Sequence, residues 1–134
     1  KNIFLIIQNK LVEKKFYKIK KILTIKNPKG NLYKMISKND KFFDKFGEIY
    51  FSEVYPNKFK GWKFHEKRTQ LITVIHGKVR FFLKKKDKDK PKIIDIGYPN
   101  KLKILKIEPK TYYSFECKSR SKSIVINLIN EVVK

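Results

Sequence analysis

The chain reads as an all-β protein, an antiparallel sandwich or barrel, and three observations lead there. Apolar and aromatic residues gather in short runs of about five to eight, rich in Ile, Val, Phe and Tyr, with turn residues between them. The one tempting helix, Lys10–Lys21, places Leu11, Lys14, Lys15 and Lys18 without an apolar stripe. Short strands with no helices alternating between them leave an antiparallel architecture.

Each element then follows from its own pattern. The apolar run Ile3–Ile7 predicts a first strand, Ile3–Gln8; at five residues it is too short to span a membrane, and no small-residue cleavage site follows it. Strands Ile22–Lys26 and Leu32–Ser37 flank the turn Asn27-Pro28-Lys29-Gly30. Glu48–Tyr55 and Phe59–His65 flank Tyr55-Pro56-Asn57, and Gly77 separates Gln70–His76 from Lys78–Lys84. The charge run KKKDKDKPK, Lys84 to Lys92, predicts a solvated hairpin tip leading into Lys92–Ile96. Gly97-Tyr98-Pro99-Asn100 turns the chain into Leu102–Ile107, and Tyr112–Cys117 and Ser123–Leu128 complete the set. No internal repeat is visible, and 134 residues make one domain, 1–134, with a single core the expectation.

Composition narrows the function classes. A hydrophobic fraction of 41% and an aromatic fraction of 14% argue against disorder. A single cysteine, Cys117, excludes an internal disulfide framework and fits a reducing, cytoplasmic setting; its expected place is as a small core filler. The net charge of +22 suggests a polyanion. Yet three of the 34 basic residues are arginines (Arg68, Arg80, Arg120), which leaves 31 lysines, and alanine is absent altogether. That bias is what an AT-rich genome produces, and nucleic-acid readers favour Arg for bidentate contacts. A nucleic-acid partner is therefore not the expectation, although the positive field would draw in an anionic substrate.

The informative chemistry lies in FGEIYFSEVYPNKFKGWKFHEKRTQLITVIHG, Phe46 to Gly77. With a period of two, Lys63 and His65 share one strand face, opposite Trp62 and Phe64. On the next strand Gln70, Ile72 and Val74 share a face, opposite Thr69, Leu71 and Thr73. A lysine and a histidine on one face of an otherwise aromatic strand imply a wet cavity or an acidic partner, because a buried unpaired ammonium is costly. His76, beside Gly77, reads as a strand-end residue without a role.

The spacing Gly61-x-Lys63-x-His65-x4-Gln70-x6-Gly77 lies on the first cupin motif, G-x-H-x-H-x4-E-x6-G. The second motif, P-x-G-x-x-H, falls on Glu108-Pro109-Lys110-Thr111-Tyr112-Tyr113, which puts the position of its histidine at Tyr113. In wording, Gly47–Pro56, Trp62-Lys63-Phe64-His65-Glu66-Lys67-Arg68-Thr69-Gln70 and Ile107–Phe115 resemble the dTDP-4-dehydrorhamnose 3,5-epimerase family of cupins, over roughly residues 22 to 130. The resemblance implies a jelly-roll barrel, a nucleotide-sugar substrate and a homodimer paired through sheet edges. Where metal-binding cupins place two His, a Glu and a further His, this chain has Lys63, His65, Gln70 and Tyr113, so neither a metal nor another cofactor is expected.

The epimerases are similar in using a His base next to a 4-keto group and a Tyr acid on the opposite face. Their base position aligns with Lys63, after Lys60-Gly61-Trp62, whereas His65 matches the second histidine of the related 3,4-ketoisomerases, R-G-G-H-x-H; their acid Tyr would lie near Ile126-Asn127, where none occurs. The resulting expectation has His65 as base, Lys63 or Arg68 favouring neutral imidazole and steadying an enolate oxygen, and Tyr112 or Tyr113 relaying a proton. Lys60, Lys78 and Arg80 are candidates for the diphosphate, Trp62 for stacking on sugar or base, and Gln70 for substrate contact. Three function classes result: a metal-free sugar-nucleotide epimerase or keto-isomerase of polysaccharide synthesis, a cupin that binds a nucleotide-sugar or glycan without turnover, and a basic barrel for nucleic acid.

Overall fold

The computed structural model of the chain describes residues 15–133 and contains eleven strands with no helix among them. They are β1 (Tyr17–Lys21), β2 (Leu23–Ile25), β3 (Leu32–Lys34), β4 (Glu48–Val54), β5 (Phe59–Phe64), β6 (Gln70–His76), β7 (Lys78–Lys84), β8 (Lys92–Gly97), β9 (Lys103–Ile107), β10 (Tyr112–Cys117) and β11 (Ser123–Ile129). A five-stranded sheet runs β1-β9-β6-β11-β4, a four-stranded sheet β5-β10-β7-β8, and β2-β3 form a small hairpin. Every pairing is antiparallel. The short connections β4-β5, β6-β7 and β8-β9 each carry the chain from one sheet to the other, the winding of a jelly roll.

Alternation along the strands explains the layers. Val79, Phe81 and Leu83 of β7, Ile94 and Ile96 of β8, Ile72 and Val74 of β6, and Leu105 and Ile107 of β9 all point between the sheets and form one core. The opposite parity of the five-stranded sheet, Leu71, Ile104 and Leu128, packs outward with Ile22 against Tyr33, Met35, Phe42 and Phe43. The parity expected for β6, with Gln70, Ile72 and Val74 on one side and Leu71 and Thr73 on the other, is the parity observed.

Two details differ from the sequence reading. Strand β1 falls inside Lys10–Lys21, where no strand was expected; Tyr17 and Ile19 alternate with lysines there, and among the described residues β1 pairs with β9 alone. The expected strand Ile3–Gln8 lies outside the described residues. Cys117 is buried as expected, but its sulfur meets the hydroxyls of Ser119 and Ser123 at 3.4 and 3.2 Å, a more polar setting than a core filler needs.

Candidate active site

The core is apolar over most of its length and turns polar at one end. There β10 and β6 begin, β5 ends and β11 approaches its close, so that Tyr113, Gln70, His65 and Asn127 come together from four strands or strand ends. A bulge in β5 sets this up. Tyr113 pairs with Lys63 but Ser114 pairs with Gly61, which leaves Trp62 as the extra residue. The chain approaches β10 closely at Gly61, which has φ of 115° and where a Cβ would lie 2.8 Å from the Cβ of Ser114. The bulge resets the phase so that both Lys60 and Lys63 fall on the inward side of β5, opposite Phe115 and Tyr113.

His65 lies just past β5, half-buried, with its backbone carbonyl held by the amide of Lys110. Its Nε2 is 3.4 Å from the phenolic oxygen of Tyr113 and 3.2 Å from Nη1 of Arg68. Arg68 in turn donates through Nε to Glu131 Oε2 at 2.9 Å. Burial, and then the positive charges of Arg68 and Lys63, lower the His65 pKa below its ordinary value, with Glu131 opposing them. The imidazole is thus held in its neutral, basic form near pH 7.

Tyr113 is 3% exposed. Burial, with a smaller contribution from the neighbouring Tyr50, pushes its phenol up to about 12, while Arg68 and a hydrogen bond from Gln70 act in the opposite sense. Gln70 is oriented in its turn: Asn127 Nδ2 donates to Gln70 Oε1 at 2.8 Å and also to the hydroxyl of Tyr50 at 3.1 Å. Asn127 is 5% exposed, and its buried Oδ1 has no hydrogen-bond partner among the described residues. Tyr50 is brought in by register, since it pairs with Asn127 across β4 and β11.

The sequence candidates therefore divide. His65, Tyr113, Gln70 and Arg68 meet in one cluster, and Lys63 borders it from the β5 edge. Lys60 faces inward further along β5, where its Nζ donates to the carbonyl of Glu53 at 2.6 Å. Tyr112 and Trp62 are not in the cluster. Tyr112 faces outward and stacks on Phe64 at 4.6 Å, while Trp62 lies outside under Nζ of Lys84 at 4.4 Å. Lys78 and Arg80 are also elsewhere, bordering an outer cleft of about 320 Å³ at the far end of β7, with Arg80 paired to Asp95 at 2.8 Å. Alternation explains both exclusions: Tyr112 and Arg80 have the opposite parity to Tyr113 and Phe81, the residues that point into the core. Tyr50, Asn127 and Glu131 join the site without having been singled out. The parity of Phe115 and Cys117 would have chosen Tyr113 over Tyr112 from sequence alone.

The cupin metal positions do not suit a metal here. Lys63, Gln70 and Tyr113 offer an ammonium, an amide and a phenol with a raised pKa beside one imidazole. Among the described residues no group of three or more His, Cys, Asp or Glu is placed to hold an ion.

An antiparallel jelly roll of this winding is the cupin fold, and here its interior ends in a histidine–tyrosine–arginine cluster, groups of the kind that exchange protons. Solved structures narrow the class. The chain is similar to a dTDP sugar isomerase from Desulfovibrio desulfuricans G20, with 28% identity and a TM-score of 0.80, covering 88% of this chain and 78% of that one. It is also similar to a sugar 3,4-ketoisomerase from Thermoanaerobacterium thermosaccharolyticum in complex with TDP (22% identity, TM-score 0.75, 89% and 83% of the two chains). A third is a dTDP-4-dehydrorhamnose 3,5-epimerase from Bacillus anthracis with TDP and PPi bound (17%, 0.78, 92% and 78%). The fold is the one shared by these sugar-nucleotide isomerases and epimerases. No protein-family model matches the chain, and no curated protein does.

Proposed function

We propose that the protein is a metal-free isomerase of a nucleotide-linked 4-keto-6-deoxy sugar, with keto-isomerisation as its reaction. The observation that carries this reading is the approach of Tyr113 to His65 Nε2 at 3.4 Å, an acid and a base side by side on one wall of the barrel. Neutral His65 takes the proton from the carbon next to the carbonyl. The C–H electron pair becomes the enol double bond and the carbonyl π pair moves to oxygen. Tyr113, protonated at neutral pH because its phenol is pushed up to about 12, gives its proton to that oxygen. The neighbouring hydroxyl then returns a proton to the phenolate as its own C=O forms, and His65 returns the first proton to the adjacent carbon. No proton is gained or lost overall. Arg68 and Lys63 supply the positive charge that favours the enolate.

Epimerisation is the second reading, and Tyr50 favours it: its hydroxyl comes from the opposite sheet, where an acid could deliver a proton to the other sugar face. Lys63 and Lys60, on the inward side of the β5 edge, are assigned to the diphosphate and Gln70 and Asn127 to the sugar. We assign the enzyme to cytoplasmic precursor supply for polysaccharide, working as a homodimer and as one domain. The similar structures, a dTDP sugar isomerase and two enzymes holding TDP, support the substrate class.

The test is proton NMR of dTDP-4-keto-6-deoxyglucose in deuterated water. Solvent deuterium should enter next to the carbonyl with the wild type and not with His65→Ala, while Tyr113→Phe should slow turnover by about 10²-fold or more. A product with the carbonyl moved from C4 to C3 establishes keto-isomerisation, and inversion at C3 or C5 establishes epimerisation. Tight binding without exchange would leave a binding cupin instead.

A further inference from the structure

We propose that Glu131 is a positioning residue, the pivot on which Arg68 serves first the neutral His65 and then the enolate oxygen. In its second half the inference rests on the isomerase reading; its first half does not. The guanidinium is planar and can only donate, so the nitrogen it meets at 3.2 Å, His65 Nε2, must accept. That places the ring proton on Nδ1 and the basic lone pair on Nε2, facing Tyr113. The tautomer is thus set by an arginine. A carboxylate holds that arginine in turn: Glu131 accepts from Nε of Arg68 at 2.9 Å, while Nη1 reaches the imidazole. The Arg68 side chain is only 13% exposed, and its contacts are with Glu131 through Nε and His65 through Nη1.

Glu131 owes its place to backbone packing. Gly47 lies so close that a Cβ would come within 2.2 Å of the Glu131 nitrogen, and the Gly47 amide donates to the carbonyl of Ile129 at 2.8 Å. The Val133 amide donates to Glu48 Oε1 at 2.9 Å, which clamps the segment after β11 against the start of β4.

The chemistry follows from a change of sign at one atom. When His65 takes the substrate proton, Nε2 turns from acceptor into donor and the ring becomes a cation facing a cation. Nη1 of Arg68 then loses its partner just as the carbonyl oxygen acquires the negative charge of the broken C–H bond, and a rotation about the Glu131 contact lets it donate there. Once Tyr113 has protonated that oxygen its charge is gone, and when His65 has given its proton back to carbon Nη1 returns to the imidazole. The groups that face His65 are Arg68, Lys63, Glu131 and the Tyr113 phenol.

The experiment is ring ¹⁵N NMR of the full chain at pH 8. With two histidines in the sequence, exposed His76 serves as internal reference. Wild-type His65 should show the Nδ1–H tautomer almost alone. Glu131→Ala should bring it toward the mixture shown by His76, whereas Glu131→Gln, whose amide oxygen still accepts from Nε, should retain it. Arg68→Lys, without the fork, should lose it. An Nε2–H tautomer in the wild type, or an Ala variant with the wild-type tautomer, overturns the proposal. In deuterium exchange Glu131→Ala should lower kcat by about tenfold with KM changed less than about twofold, and an unchanged kcat overturns the second half. If the wild type shows the tautomer and its dependence on Glu131 but exchanges no keto-sugar, the arrangement stands and the isomerase reading falls.

Discussion

At the scale of single residues the pH response is the sharpest consequence of the site. His65 works as a base only when neutral, and burial together with Arg68 and Lys63 lowers its pKa from 6.5. Activity should therefore be retained as the pH falls through 6.5 and be lost only below it. Arg68→Met removes a cation and should move this acid limb upward, read as log kcat/KM against pH. Tyr113, at about 12, stays protonated across the working range and adds no basic limb below about pH 10. How far these residues were legible differs from one to the next. His65, Gln70 and the Tyr112-Tyr113 pair could be read because motif spacing is local. Tyr50 and Asn127 could not, because their meeting depends on a cross-strand register between positions far apart in the chain. Glu131 depends on the approach of Gly47, which only the folded backbone reveals.

At the scale of elements, β5 holds the site in position. Gly61→Ala would combine an unfavourable φ with a Cβ contact of 2.8 Å, and should cost about 2–4 kcal/mol in urea unfolding. Since the same bulge aims Lys63 and leads into His65, exchange activity of the folded fraction should also fall. Strand existence and parity were largely open to a period-two reading, as β6 shows. The bulge was not, because a two-against-one pairing changes the phase within a run whose composition stays the same. Strand β1 was passed over for a related reason: lysines at 18, 20 and 21 dilute the apolar alternation on an edge strand that needs only half a partner.

For the whole molecule, the charge of +22 bears on the proposed substrate, a dianion, before it arrives. Raising salt from about 20 to about 500 mM should lower kcat/KM severalfold by screening this attraction and leave kcat nearly constant, as steady-state kinetics in sodium chloride would show. The outer face of the four-stranded sheet does expose Phe59, Trp62 and Phe64, the kind of surface that a nucleic-acid reading anticipates. Trp62, however, is capped by Lys84, and Asp95 and Glu116 share that face. The two sheets end on one side in the edge strands β4 and β5, which run beside each other joined by the contact of Lys60 with the Glu53 carbonyl. At the exposed positions of that seam, Phe51, Phe59 and Lys60 among them, side chains can be exchanged without opening the apolar interior or breaking a sheet ladder. Under the proposed reading, drift at the exposed positions of the seam would change which sugar or nucleotide is accepted, at little risk to folding, while the histidine and tyrosine behind it stay as they are.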